Sequence, residues 1–64
     1  MAKAYVFFAD GFEEVEALTT VDLLRRGGVA ATTVSVKGEP YVTGAHGVTI
    51  RTDALFDEIG RAHV

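Results

Sequence analysis

The chain of 64 residues contains no cysteine, no tryptophan, one methionine and one proline. Without cysteine there is no disulfide framework, no thiolate metal site and no thiol nucleophile. Basic residues are also scarce: six against nine acidic ones, for a net charge of -3. Lys37 and the pair Arg25-Arg26 are the basic features of note, so the electrostatic footprint of a nucleic-acid partner is missing. No apolar run is long enough to span a membrane, and the amino terminus lacks the longer apolar core and small-residue cleavage site of a signal peptide. A cytoplasmic location with neither nucleic-acid nor membrane partner is the default expectation. Asp10-Gly11-Phe12 fits neither G-x-G-x-x-G nor the P-loop pattern. Serine is absent from any G-x-S-x-G elbow, and Ser35 falls within a strand pattern. His46 and His63 have no ligand-spaced partners in the sequence, so no metal and no cofactor is expected, and His46 reads as a turn residue.

What is present is a globular composition, 48% hydrophobic. A chain this short buries only roughly 60% of the surface its unfolded form exposes. An independent stable domain is therefore not expected.

The first clear pattern is the apolar run Ala4-Tyr5-Val6-Phe7-Phe8-Ala9, which predicts a parallel strand buried on both faces. Asp10 and Glu13 have capping-box spacing for a helix running from Glu13 to Gly28, and Gly11 permits a sharp turn before it. Glu13, Glu14 and Glu16 crowd the helix start, while Arg25 and Arg26 precede Gly27-Gly28 at its end. Both charge groups complement the helix dipole, and the glycines suit a left-handed cap. At 100° per residue Ala17, Val21, Leu24 and Gly28 form a stripe flanked by Leu18 and Thr20, which should pack on the sheet. The opposite face mixes Val15 and Leu23 with Glu16, Thr19, Asp22 and Arg26.

Val29 to Val36 is β-branched and predicts a second strand, completing a strand-helix-strand unit. Gly38-Glu39-Pro40 breaks it. Tyr41-Val42-Thr43 and Val48 to Thr52 then read as a hairpin joined by Gly44-Ala45-His46-Gly47, and Asp53 to about Glu58 as a short helix capped by Asp53. A third central strand is expected only after Glu58. The last six residues, Ile59 to Val64, continue no pattern. They back-translate to the start of a common sequencing adapter, atcggaagagcacacgtc, and are expected to be adapter read-through, with residues 1–58 the native part. The codons of the source nucleotide record decide this.

The acidic cluster Asp10, Glu13, Glu14 and Glu16 stands at the carboxyl end of the first strand, where open parallel sheets place their ligand crevice. Acids in a first helical turn ordinarily serve only to cap it. Glu16 is the exception, since helix geometry sets it off the packing stripe and near the turn, where it can lean over the crevice and exchange a proton.

Three segments carry a family likeness: Tyr5-Val6-Phe7-Phe8-Ala9-Asp10-Gly11-Phe12-Glu13-Glu14-Val15-Glu16-Ala17, Thr20-Val21-Asp22-Leu23-Leu24-Arg25-Arg26-Gly27-Gly28, and Val42-Thr43-Gly44-Ala45-His46-Gly47-Val48. They resemble the amino-terminal third of the ThiJ/PfpI superfamily, in the branch of the parkinsonism-associated protein deglycase. The likeness covers nearly all of residues 3–58. It implies a partial flavodoxin-like α/β sandwich of the class I glutamine amidotransferase-like type, truncated before its third central strand.

It further implies a homodimer whose reactive cysteine is supported by a first-helix glutamate with a histidine nearby. By motif position Glu16 is that glutamate and Gly11 the pocket glycine. The family's use of its first helix in dimerisation assigns Val15, Asp22 and Arg26 to a subunit contact. The cysteine and histidine lie beyond residue 64, so the chain alone should be inactive. His46 stands where the family often has an arginine. The implied activities are glutathione-independent glyoxalase chemistry on 2-oxoaldehydes and deglycation, with stress chaperoning or thiazole biosynthesis as alternatives. A receiver-like phosphoacceptor module is the structural rival, which the hairpin and the G-x-E-E-x-E segment do not suit.

Overall fold

The computed structural model describes residues 2–62, with side chains to residue 59. Its elements run β1 (Lys3–Phe8), α1 (Glu14–Arg26), β2 (Ala30–Ser35), β3 (Tyr41–Thr43), β4 (Thr49–Arg51), β5 (Ala54–Leu55) and α2 (Phe56–Ala62). The architecture is α/β. Strands β1, β2 and β5 form a parallel sheet in that order, and β3 with β4 forms a separate antiparallel pair. β1 pairs with β2 along its length, from Lys3 opposite Ala30 to Phe8 opposite Ser35.

The main hydrophobic cluster lies on one side of this sheet. Phe8 is 0% exposed and packs with Val21 of α1 and Val42 of β3, and Val6, Phe12, Ala17, Leu18 and Ile50 close around them. The rings of Phe8 and Phe12 meet edge-to-face at 4.9 Å. The helix stripe centred on Ala17 and Val21 thus faces the sheet, as its periodicity requires. The expectation that β1 is buried on both faces is not met by the described residues. Tyr5 and Phe7 point to the other face, where Phe7 remains 52% exposed and touches Phe56 edge-to-face at 6.0 Å. A continuous apolar strand is suited to cover on both sides, and the described residues cover the second side only in part, burying Val34 opposite Phe7 while Phe7 itself stays half exposed.

At the end of α1, Gly28 rather than Gly27 takes the left-handed backbone, with φ +87°. After β2, the buried Ser35 hydroxyl donates to the Glu39 carbonyl at 2.7 Å and accepts from the Lys37 amide, which shapes the turn before the hairpin. The hairpin registers Val42 opposite Ile50 and docks on the β1–α1 turn by two backbone bonds, Gly11 N to Thr43 O and Ala45 N to Phe12 O, each 2.8 Å.

The segment after the hairpin departs from the sequence reading in two ways. Ala54–Leu55 joins β2 as a third parallel strand, so the sheet gains a strand before Glu58. Asp53 does not cap the helix. Its Oδ2 accepts from the Thr33 amide, the Thr33 hydroxyl and Arg25, while Glu58 reaches back to the Leu55 amide at 2.7 Å and closes the start of α2. The segment 59–64, expected to be foreign to the gene, continues α2 as far as Ala62, and His63 and Val64 lie outside the described residues.

The one-sided cluster yields a contrast. Phe8→Ala should cost about 3–5 kcal/mol, a large share of what so small a chain can hold. Phe7→Ala forfeits mainly one aromatic contact, worth about 0.5–1.5 kcal/mol. Urea titrations of the full-length protein followed by far-ultraviolet circular dichroism measure both, and a loss for Phe7→Ala as large as that for Phe8→Ala would contradict the placement of the main cluster.

Candidate functional site

The acids that the sequence places after β1 separate into two groups, those engaged in the fold and Glu16. α1 begins at Glu14, and its N-cap residue Glu13 makes no side-chain capping bond. Asp10 does not cap it either. The Asp10 carboxylate turns to the hairpin, accepting from the Thr43 amide at 3.0 Å and from Lys37 Nζ at 2.9 Å. The Thr43 amide first, and then the Lys37 ammonium, hold the Asp10 carboxyl below the usual range. Asp53 is lowered in the same way, chiefly by the Thr33 amide, with Arg25 2.8 Å away.

Glu14, which the sequence offers only as a capping charge, is 7% exposed. Its carboxylate is seated in the β3–β4 loop. Oε2 accepts from the backbone amides of His46 at 2.8 Å and Val48 at 3.2 Å, and Oε1 lies 2.9 Å from His46 Nδ1. Burial works against ionisation, but bonds from the His46 ring and from the amides of Glu14, His46 and Val48 outweigh it and bring the carboxyl down to about 2. Gly44 makes room for this. A Cβ there would overlap Cδ and Oε2 of Glu14.

Glu16 lies in the first turn of α1 and is exposed, and its carboxylate has no hydrogen bond or ion pair among the described residues. Gly11 occupies the β1–α1 turn with φ +89°, a left-handed conformation that a side chain would strain. A small cleft of about 110 Å³ opens elsewhere, between Val36, Lys37 and Gly38 on one side and Leu55, Phe56 and Asp57 on the other. Neither Gly11 nor Glu16 lines it. Of the residues assigned to a subunit contact, Val15 is 72% exposed and Arg26 pairs with Asp22 at 3.5 Å one turn away, on the helix face turned from the core. Leu23 is exposed on the same helix.

The fold also gives His46 the carboxylate neighbours that its sequence surroundings lack. Ligand-type atoms of Glu13, Glu14 and His46 all fall within 4.8 Å of one another. Because Glu14 and His46 are bonded to each other, this cluster is an internal contact and is not assigned to a metal. Sequence separations of 32 and 34 residues kept the cluster and its loop amides out of reach of local motif reading. Gly44 gave no separate sign, since its place in the hairpin turn already accounted for a glycine there. Gly44→Ala should push the Glu14 carboxylate out of the loop. The amide proton resonances of His46 and Val48 should then move upfield together in a proton-nitrogen correlation spectrum, and unchanged resonances would refute the seating.

The DJ-1/PfpI family model matches residues 2–64. Protein DJ-1 homolog B of Arabidopsis thaliana is 37% identical over 57 residues, which are 89% of this chain and 13% of that protein. Homolog A is 37% identical over 51 residues, 80% of this chain and again 13% of the relative. Among solved structures, a DJ-1 superfamily protein from Salmonella typhimurium, studied as a cysteine-to-alanine mutant, superposes with a TM-score of 0.92 at 34% identity over 97% of this chain and 34% of its own. Oxidised DJ-1 of Toxoplasma gondii gives 0.92 at 31% identity, over 95% of this chain and 33% of its own. The chain therefore spans about a third of these solved relatives, and its flavodoxin-like α/β arrangement is theirs. With residues 2–64 matched and its elements superposing on two solved relatives, the chain belongs to the DJ-1/PfpI family.

Proposed function

We propose that this chain contributes the glutamate of a cysteine-dependent site acting on 2-oxoaldehydes or early glycation adducts, and that Glu16 is that glutamate. One observation carries the assignment: Asp10 and Glu14 are committed to the hairpin, whereas the Glu16 carboxylate is exposed and unengaged among the described residues, in the first turn of the helix that follows the carboxyl end of β1. That end of a parallel strand is where ligands bind in open α/β sheets. A cysteine-to-alanine mutant and an oxidised form among the solved relatives support a reactive thiol in the family.

In this reading the nucleophile comes from sequence that the 64 residues do not contain. Its thiolate adds to the aldehyde carbon of the substrate and gives a hemithioacetal. Glu16 takes the proton from that carbon and returns it to the adjacent one, and water then releases the 2-hydroxy acid and regenerates the thiol. The protein would act as a cytoplasmic homodimer in the response to carbonyl stress, with Val15, Asp22 and Arg26 at the subunit contact. The exposure of Val15 and Leu23 on one helix supports that contact. A non-catalytic chaperone or binding module of the same fold is the alternative reading, and it holds if the continuation of the gene supplies no cysteine after its next strand.

In the full-length protein, Glu16→Gln should lower methylglyoxal turnover about 10²–10⁴-fold, the range of a lost general acid-base group. Full retention of turnover would end the assignment. The 64-residue chain by itself should release no lactate from methylglyoxal.

A further inference from the structure

We propose that the β3–β4 loop is a pH-responsive latch, in which protonation of the His46 imidazole tightens closure of the loop onto the buried Glu14 carboxylate and deprotonation loosens it. The proposal stands apart from any catalytic role. It begins with the asymmetry of the contact. The His46 side chain is 71% exposed and trades protons with solvent directly, whereas the Glu14 side chain it touches is 9% exposed. A charge gained on the ring therefore acts at 2.9 Å on a carboxylate largely withdrawn from water, where screening is weak.

Among the described residues, no other charge relieves this pair. From α1 and the residue before it, His46 faces Glu14 and Glu13, whose Oε1 is 3.9 Å from Nδ1, and both favour the imidazolium. The loop residues Gly44, Ala45, Gly47 and Val48 add no charge. From the β1–α1 turn the nearest acid, Asp10, is committed to Lys37 and Thr43, and Arg25 is committed to Asp53. Gly47 holds a left-handed φ of +85°, and Gly44 N to Val48 O at 2.9 Å closes the turn. The bonds that do not titrate, Ala45 N to Phe12 O and the two amides on Glu14, keep the loop docked when the ring is neutral. Deprotonation thus removes charge assistance, not the whole contact.

The direction of each titration follows. The bond to Glu14, and then the charge of Glu13, raise His46 above its ordinary 6.5. A raised pKa means stabilisation that is complete below about 6.5 and is lost as pH climbs through the raised value. Glu14, lowered from 4.5 to about 2, stabilises fully above 4.5 and loses that stabilisation as pH falls toward 2. The latch is tightest between about 4.5 and 6.5.

A nuclear magnetic resonance titration of the full-length protein from pH 4.5 to 9 tests this. The reporters are the His46 ring Hε1 and the His46 and Val48 amides, with a free peptide of residues 44–48 as reference. The ring should titrate at higher pH than in the peptide, and the Val48 amide, which contacts the same carboxylate, should follow the ring's midpoint. Glu14→Gln should move the ring midpoint down most of the way toward the peptide's, leaving the smaller elevation that Glu13 sustains. His46→Asn should remove the Val48 response while leaving that amide downfield of its peptide value. A ring midpoint equal to the peptide's, a Val48 amide indifferent to pH, or a ring midpoint that Glu14→Gln leaves unchanged would each overturn the latch.

Discussion

The seating of the Glu14 carboxylate in the β3–β4 loop is the constraint on which the arrangement of this chain depends. The hairpin has no strand partner in the parallel sheet, so nothing in the sheet ladder fixes its position. Backbone bonds from Gly11 and Ala45 set its distance from the β1–α1 turn. Glu14 sets its orientation, because two amides and a ring nitrogen of one loop converge on a single side chain. Val42 can then close the core over Phe8 and Val21. A carboxylate so nearly buried is tolerated because its oxygens are met by donors, and removing those donors would leave a charge away from water.

The same device recurs twice. Asp10 joins the end of β1 to Thr43 and Lys37, and Asp53 joins the end of the hairpin to Thr33 and Arg25. Each carboxylate accepts from a backbone amide far away in sequence and, for these two, from a cation as well. In a chain with no cysteine and its main hydrophobic cluster on one side of its sheet, these contacts act as cross-links between elements that apolar packing alone holds loosely. They also account for what is left over. With Asp10, Glu14 and Asp53 engaged, Glu16 is an acid of the first helical turn whose side chain the described fold does not use.

The parts of this fold legible in the sequence were those that depend on local pattern. The β-branched run of β2, the stripe of Ala17 and Val21, and the glycines around His46 gave the strand-helix-strand unit and the hairpin nearly to the residue. The carboxylates were not legible, for a chemical reason. A helix N-terminus and a distant loop amide ask for the same acceptor, so Asp10 and Asp53 suited a cap in sequence and a tertiary bond in space equally well. The short strand Ala54–Leu55 escaped because two residues carry no period, and its place is fixed by pairing with Val34 and Ser35. Glu16 was singled out by geometry along one helix, which sequence does convey. The seat of Glu14 needed the fold.

The close approach of Gly44 to Glu14 has a consequence for how sequences of this kind can change. The two positions share one volume, since the space a methyl group would take at 44 is filled by the carboxyl group from 14. A larger residue at 44 is admissible once 14 has shortened or turned outward, and a shortened residue at 14 leaves a void that a side chain at 44 can fill. Either change alone passes through a less stable intermediate, and the pair together need not. Positions 14 and 44 therefore behave as a single unit of variation, with the order of substitution deciding which paths are open.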